Sequence, residues 1–335
     1  MTAVAGNNVI RIQDESPGSC NNNSKGLFEG WHCFSTFLAI VYNMSLGYAC
    51  INLELADEGF VSNKGMIRRT FLEKGIQYAS QLALQNVQSL LKILQWNVAN
   101  GLTIFRITSE LFPWASEYKL EQMPDFAEIR KILEEAGKLP IRVSTHPGPF
   151  NKMAGAGATL QNTITDLEIH SQLFDLMGLE PSHWNKINVH VGGAYGDKEE
   201  TIKRFAKNFQ LLSSNLQKRL TVENDDKAGL YTVANLKPLY ELTGIPIVFD
   251  YFHHKLHPGL QSEEEAFLSA FETWSVKPMF HYSSSKKENE DPTAKREAHA
   301  DFIYEPINTY GKEVDIVLEA KMKEKAVVKY KEQFS

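Results

Sequence analysis

The chain contains 335 residues, carries a formal charge of −6 at pH 7, and is 43% apolar with 19 phenylalanines. This hydrophobic content excludes an intrinsically disordered protein. The length accommodates one large α/β domain of about 250 residues with an extension, or two smaller domains. The acidic balance argues against a protein that coats nucleic acid through its global charge, but it leaves room for a local basic groove.

Residues 1–43 are predicted to form an N-terminal extension of unknown role. Its apolar run, residues 33–42, is too short to cross a bilayer and lies too far from Met1 for an ordinary signal peptide. The three cysteines lie within the first 50 residues, and their spacing fits no metal or disulfide pattern. We therefore expect an intracellular protein in a reducing compartment, with no membrane partner.

From residue 44 onward, short apolar runs rich in β-branched residues alternate with loops and helical stretches. The eight runs are residues 46–49, 103–108, 141–145, 186–191, 220–223, 245–250, 277–282 and 314–319. Continuous apolar strands are typical of a parallel sheet that is covered on its outer face. Gly101, Gly137, Gly178 and Gly244 stand just before strands, where a left-handed residue ends a helix. The pattern predicts a single (β/α)8 barrel of the TIM type over residues 44–335.

The functional site of such a barrel forms at the carboxyl ends of its strands. Six successive predicted strands, or the loops that follow them, carry His, Asp or Glu there. These residues are His146, His190, Glu223, Asp250, His253, His281, His299 and Glu319. Buried carboxylates repel one another unless cations neutralise them. Because imidazole and carboxylate ligands suit Mn, Zn or Fe, and because the set is too large for one ion, we expect two or three metal ions. Such clusters activate water and stabilise both oxygens of a phosphoryl displacement.

Three segments at predicted strand ends are specific: HVGGAYG at 190–196, VENDD at 222–226 and FDYFHH at 249–254. Weaker ones are residues 46–53, 105–107, 112–116, 146–148 and 319–321. Together, and in this order, they resemble the UV damage endonuclease family, which is related to the endonuclease IV-type barrels. The resemblance implies a metal cluster, typically of manganese with zinc as the alternative, and incision of DNA on the 5′ side of damaged bases.

Carried over position by position, the ligands of the family fall on the eight strand-end residues named above. Glu223 is expected to bridge two metals, and Glu223 and Lys321 are the positions to which we assign catalytic roles. The chain departs from the family pattern in three places. Glu117 stands where a histidine ligand occurs and is included as a candidate carboxylate ligand. Met279 stands where some members have a lysine, and Pro149 with Phe150 replaces a polar and aromatic pair.

The remaining predictions concern contacts with DNA. Lys321 and Lys323 follow Glu319 and are expected to face the phosphate backbone. Aromatic side chains fill the gap left by an extruded base. The candidates for lesion contact are Tyr48, Asn52, Pro149, Phe150 and Tyr195.

The sequence therefore predicts a monomeric, metal-dependent DNA repair endonuclease that acts on damaged double-stranded DNA without a nucleotide cofactor. It is expected to cut 5′ to UV photoproducts and other damaged bases and to leave a 3′-hydroxyl and a 5′-phosphate. The alternatives are an abasic-site endonuclease or a sugar isomerase on the same barrel, and a protein that binds damaged DNA without cutting it.

Overall fold

A computed structural model of the protein describes residues 44–334, so the predicted extension lies outside the described residues. The apolar runs form eight parallel strands, each within a few residues of its predicted position. They are β1 (Ser45–Ala49), β2 (Ile104–Ile107), β3 (Arg142–Thr145), β4 (Ile187–Val189), β5 (Leu220–Glu223), β6 (Ile247–Val248), β7 (Met279–Tyr282) and β8 (Asp315–Leu318).

These strands close into a barrel, as predicted. Their order is β6-β5-β4-β3-β2-β1-β8-β7, and every neighbouring pair is parallel. The circle is completed just beyond β6, where Asp250 forms a parallel bridge with His281 and the His281 amide donates to the Phe249 carbonyl at 3.0 Å. The closing bridge thus joins two predicted metal ligands.

Helices follow the strands and cover the outer face of the barrel. They are α1 (Leu53–Asp57), α2 (Arg68–Ala99), α3 (Phe126–Ala136), α4 (Gly157–Leu176), α5 (Lys198–Phe209), α6 (Ser214–Gln217), α7 (Val233–Thr243), α8 (Tyr251–Leu256), α9 (Glu263–Phe271), α10 (Lys286–Asn289) and α11 (Lys323–Phe334). Two short 3-10 turns, Ala115–Glu117 and Leu120–Gln122, lie between β2 and α3. Within residues 44–334, no helix combines the length and the apolar character that a membrane span requires.

Two of the predicted helix-ending glycines show why this residue is needed. Gly244 has a φ of 73° and ends α7 in the left-handed conformation, as expected. Gly137 follows α3 but has a φ of −68°, so the predicted left-handed cap is wrong at this position. Glycine is required there by space, because a Cβ atom at 137 would lie 1.8 Å from the Met177 carbonyl oxygen.

The strands are buried along their length, and large apolar side chains such as Phe105, Leu220 and Phe280 fill the space between barrel and helices. A smaller cluster of Ala49, Ile104, Met279 and Val317 is buried apart from this main core. Full burial of each large apolar side chain stabilises the folded state by about 1.5–3 kcal/mol. The polar candidate ligands lie at the carboxyl ends of the strands. The packed core around the strands holds these ends in fixed positions.

Candidate metal centre

The eight strand-end residues are brought together at the carboxyl end of the barrel. His146 and His190 directly follow β3 and β4, Glu223 is the last residue of β5, and Glu319 directly follows β8. Asp250 caps α8 by accepting a hydrogen bond from the His253 amide at 2.7 Å, which fixes the Asp250 side chain against the first turn of the helix. His281 lies in β7, and His299 is held by an antiparallel bridge to Ser285.

Seven of these side chains fall into three overlapping groups that are compact enough to hold metal ions. Within each group, one ligand atom from every residue lies within 4.8 Å of the others. The groups are His146 with Glu223 and His281, His190 with Glu223 and His253, and Asp250 with His281 and Glu319. Glu223 and His281 are shared between groups, and His299 Nδ1 lies 4.0 Å from Glu319 Oε2 at the edge of the set.

Glu223 is the centre of this arrangement and is only 1% exposed. Its Oε2 lies 3.0 Å from His146 Nε2, and its Oε1 lies 3.1 Å from His281 Nδ1 and 3.4 Å from His253 Nδ1. Burial alone would raise the pKa of this carboxyl, but His281, His190 and His146 lower it well below its usual range. Asn188 from β4 also donates to Oε2. The carboxylate is therefore held ionised and aimed at several imidazoles.

Two further carboxyl groups lie beside Glu223. Burial would raise the pKa of Glu319, but Arg106 and His281 keep it well below the usual value. Burial raises the pKa of Asp250 to about 7, and repulsion by Glu223 and Glu319 contributes to the increase. A divalent cation would oppose this repulsion directly, since it favours the ionised form of every carboxyl group around it.

The histidines differ in protonation according to their surroundings. Burial lowers the pKa of His281 to about 3, so its imidazole is neutral, which is the form that binds metal. Burial also opposes protonation of His253, but Asp250, Glu223 and Glu319 outweigh it and raise its pKa to about 9. Without metal, His253 thus offsets part of the carboxylate charge by binding a proton.

The donor set fits divalent metal ions. It combines imidazole nitrogens with carboxylate oxygens, which suit Mn, Zn or Fe. Asp250 Oδ2 and His299 Nδ1 are buried and have no hydrogen-bond partner among the described residues. His190 Nδ1 lies 3.1 Å from Asp225 Oδ1, leaving its Nε2 directed toward Glu223. A carboxylate behind the imidazole is the arrangement that orients metal-binding histidines.

Glu117 is not brought into the cluster. It lies at the end of the exposed 3-10 turn Ala115–Glu117 and belongs to none of the three ligand groups. Its side chain instead lines a cavity of about 430 Å³ together with Phe150 and Asp166. Met279 is fully buried in β7.

The structure corrects the prediction that Tyr48 and Asn52 contact the lesion, because both are fully buried. The Tyr48 hydroxyl donates to Asn97 Oδ1 at 2.6 Å and accepts from Asn52 Nδ2 at 2.9 Å. Asn52 Oδ1 accepts from the Leu55 amide and caps α1. These side chains hold the β1–α1 connection, and neither has an exposed surface on which a base could stack.

The other predicted DNA contacts are accessible. Phe150 is 69% exposed and Tyr195 is 54% exposed, each in a loop that follows a predicted ligand, His146 or His190, and Pro149 is exposed beside Phe150. The Arg204 guanidinium lies 4.9 Å from the Tyr195 ring centroid. Lys321 is exposed, and Lys323 is half-buried with a pKa lowered mainly by burial.

Two basic side chains of the site were not identified from the sequence. Arg106 in β2 is ion-paired with Glu319. Lys186, directly before β4, is fully buried with Nζ 3.0 Å from His281 Nε2. The available signal was a basic residue inside an otherwise apolar strand run, a place where charge is rare unless paired.

Comparisons with known proteins agree with this geometry. The family model described as UV-endonuclease UvdE matches residues 44–335. The chain is 35% identical over 305 residues to a UV-damage endonuclease of Schizosaccharomyces pombe, covering 84% of this chain and about half, 49%, of that protein. It is 34% identical to the UV DNA damage endonuclease of Bacillus thuringiensis subsp. konkukian, covering 75% of this chain and 81% of that protein.

The crystal structure of SacUVDE is similar with a TM-score of 0.72 and 33% identity, covering 86% of this chain and 98% of that one. The residues matched by the family model, 44–335, span all eight strands. The chain therefore belongs to the UV-endonuclease UvdE family.

Proposed function

We propose that this protein is a metal-dependent endonuclease that cuts damaged double-stranded DNA on the 5′ side of UV photoproducts and other damaged bases. The products are a 3′-hydroxyl and a 5′-phosphate. The observation that carries the proposal is the sharing of Glu223 and His281 among three ligand groups, since shared ligands hold metal ions close together. Closely spaced ions are suited to in-line displacement at phosphorus.

The residues that would hold the metals are His146, His190, Glu223, Asp250, His253, His281, His299 and Glu319. When bound, two or three divalent ions, for which we propose manganese, supply an activated water and charge stabilisation for the displacement. The chain supplies the fixed positions: Asp225 orients His190, and Arg106 orients Glu319. Glu117 is a more distant candidate, since its exposed carboxylate would have to move to reach the cluster.

We assign recognition of damage to the exposed residues of the loops at the carboxyl end of the barrel, which form its rim. A damaged base stacks poorly and is easier to extrude than a normal one. Phe150 and Tyr195 present exposed aromatic rings in the loops that follow His146 and His190, and the ring of Pro149 fixes its own φ directly before Phe150. Lys321 and Lys323 follow Glu319 and are suited to phosphate contacts, with Lys321 the closer in sequence to the ligand. We further propose that the enzyme acts as a monomer and needs no nucleotide cofactor.

A nicking assay tests this function. The protein is incubated with Mn²⁺ and matched duplexes that either contain a single photoproduct, contain an abasic site, or are undamaged. Incision confined to the 5′ side of the photoproduct, with product ends that a ligase rejoins, is expected. Equal cutting of all duplexes contradicts damage recognition, incision at the abasic site alone favours the abasic-site alternative, and binding without incision favours the non-cutting alternative.

A further inference from the structure

The loop that follows β3 is fixed by helices on both of its sides. From α4, Thr163 Oγ1 accepts from the Lys152 amide at 2.9 Å. From α5, Arg204 Nε donates to the Ala154 carbonyl at 2.6 Å, and Asn208 Nδ2 donates to the Met153 carbonyl at 2.7 Å. The main chain around Lys152 is therefore held in one place, six residues after His146.

The side chain of Lys152 extends from this fixed loop across to the loop that follows β4. A Cβ atom placed on Gly192 would lie 2.7 Å from Lys152 Cδ and 3.0 Å from Nζ. Gly192 has a φ of +90°, a conformation that L side chains rarely adopt, so the space over its Cα is open to the lysine. The ammonium of Lys152 thus lies next to Gly192, which is two residues after His190 in the sequence.

Lys152 is half-buried, yet its ammonium makes no ion pair or hydrogen bond with any of residues 44–334. The amides of Gly192 and Gly193 likewise donate to no group in this described part of the chain. An unpaired ammonium beside two free main-chain donors is a combination that binds an oxyanion. Lys198, which follows the same β4 loop, instead donates to Asn235 Oδ1 at 3.1 Å.

We propose that Lys152, together with the main chain of Gly192 and Gly193, binds one phosphodiester of the DNA strand beside the metal centre. The inference rests on the proposed function and adds a specific backbone contact to it. The site joins the loops that carry His146 and His190, so it fixes a phosphate relative to two metal ligands. Because this site contacts the phosphate backbone and no base, it binds damaged and undamaged strands alike.

The test compares K152Q with K152R, which retains the charge, and with K218Q as the matched control. Lys218 is exposed and precedes β5, so it lies at the opposite end of the barrel. Binding of a photoproduct duplex to the Mn²⁺-loaded enzyme is followed by stopped-flow anisotropy, before strand cleavage, over a range of salt concentrations. Single neutral methylphosphonates are then placed in turn at each phosphate around the lesion.

K152Q is expected to bind roughly tenfold more weakly, and its plot of log affinity against log salt to be shallower by about one. K152R and K218Q should retain the slope of the wild type. At one phosphate, the methylphosphonate should weaken wild-type binding and leave K152Q binding unchanged. Two results would overturn the proposal. One is a salt dependence of K152Q affinity equal to that of K218Q. The other is that the affinity losses from K152Q and from the methylphosphonate add together at every phosphate. If the wild type itself neither binds nor cuts the duplex, the proposed function fails instead.

Discussion

The strand β8 buries a carboxyl group near each of its ends, and the two ends neutralise that charge differently. At the amino end, Asp315 Oδ2 lies 2.7 Å from Arg142 Nη1 and Oδ1 lies 2.8 Å from Lys277 Nζ. At the carboxyl end, Glu319 is paired with Arg106 but also shares His281 with Glu223 and Asp250. The amino end is thus balanced by the side chains of the protein itself.

The carboxyl end surrounds its carboxyl groups mainly with histidines. Glu223, Asp250 and Glu319 lie close together there, beside Arg106. His253 carries part of the balancing charge because its pKa is raised to about 9, whereas His281 is held neutral. An added divalent cation would favour the ionised form of all three carboxyl groups. The difference teaches that one end of the barrel pairs its buried charge within the protein, while the other gathers side chains that could hold metal ions.

The largest expected effect comes from removing the central carboxylate. Glu223→Gln should lower the rate of DNA incision by on the order of 10³-fold or more, because it removes a ligand shared by two of the groups. The metal-free variant should remain folded, since glutamine has the size and shape of the glutamate that it replaces. Glu241→Gln, on the exposed face of α7, is the control and should keep the wild-type rate. Near-normal incision by Glu223→Gln would contradict the assignment.

At the amino end, Arg142→Met should lower the free energy of unfolding by about 3 kcal/mol, because Asp315 is left buried with one partner fewer. Arg130→Met breaks an exposed pair with Glu134 and should change that free energy by less than about 0.5 kcal/mol. Urea unfolding measures both. The rate of DNA incision per folded molecule should be unaffected by Arg142→Met. A loss of incision without a matching loss of stability would show that the two ends of the barrel do not act separately.

Metal addition should stabilise the protein through the carboxyl end alone. Mn²⁺ at 100 times its dissociation constant should raise the free energy of unfolding by about 2.7 kcal/mol for each independent site. Arg142→Met should gain the same increment as the wild type, whereas Glu223→Gln should gain less. Thermal unfolding with Mn²⁺ or with a chelator gives the comparison. Equal stabilisation of all three proteins would place the metal outside the cluster.

A smaller effect is expected from His183 at the amino end, whose pKa burial lowers to about 4. The unfolded chain therefore binds more protons between pH 6.5 and 4, so stability is complete above that window and is lost as the pH falls through it. His183→Gln should remove this dependence, which has a slope of at most about 1.4 kcal/mol per pH unit. Unfolding at pH 7, 5.5 and 4.5 tests the sign; an unchanged slope would show that His183 titrates normally.

The barrel and the ligand cluster could be predicted because both depend on local sequence. Apolar runs specify the strands, and a residue at a strand end keeps its place once the barrel closes. Contacts between distant segments could not be predicted in this way. The burial of Tyr48 depends on Asn97 in α2, and the pairing of Arg106 with Glu319 joins residues that are 213 positions apart. Gly137 illustrates the same limit, since its close neighbour is Met177.

The central claim is that the carboxyl end of the barrel requires several metal ions. It is tested most directly by measuring metal content, with inductively coupled plasma mass spectrometry, after equilibration with Mn²⁺ and removal of free metal. The account predicts two or three ions per wild-type chain, the same number for Arg142→Met, and a clear decrease for Glu223→Gln. A wild-type content well below two ions per chain, or a content unaffected by Glu223→Gln, would contradict it.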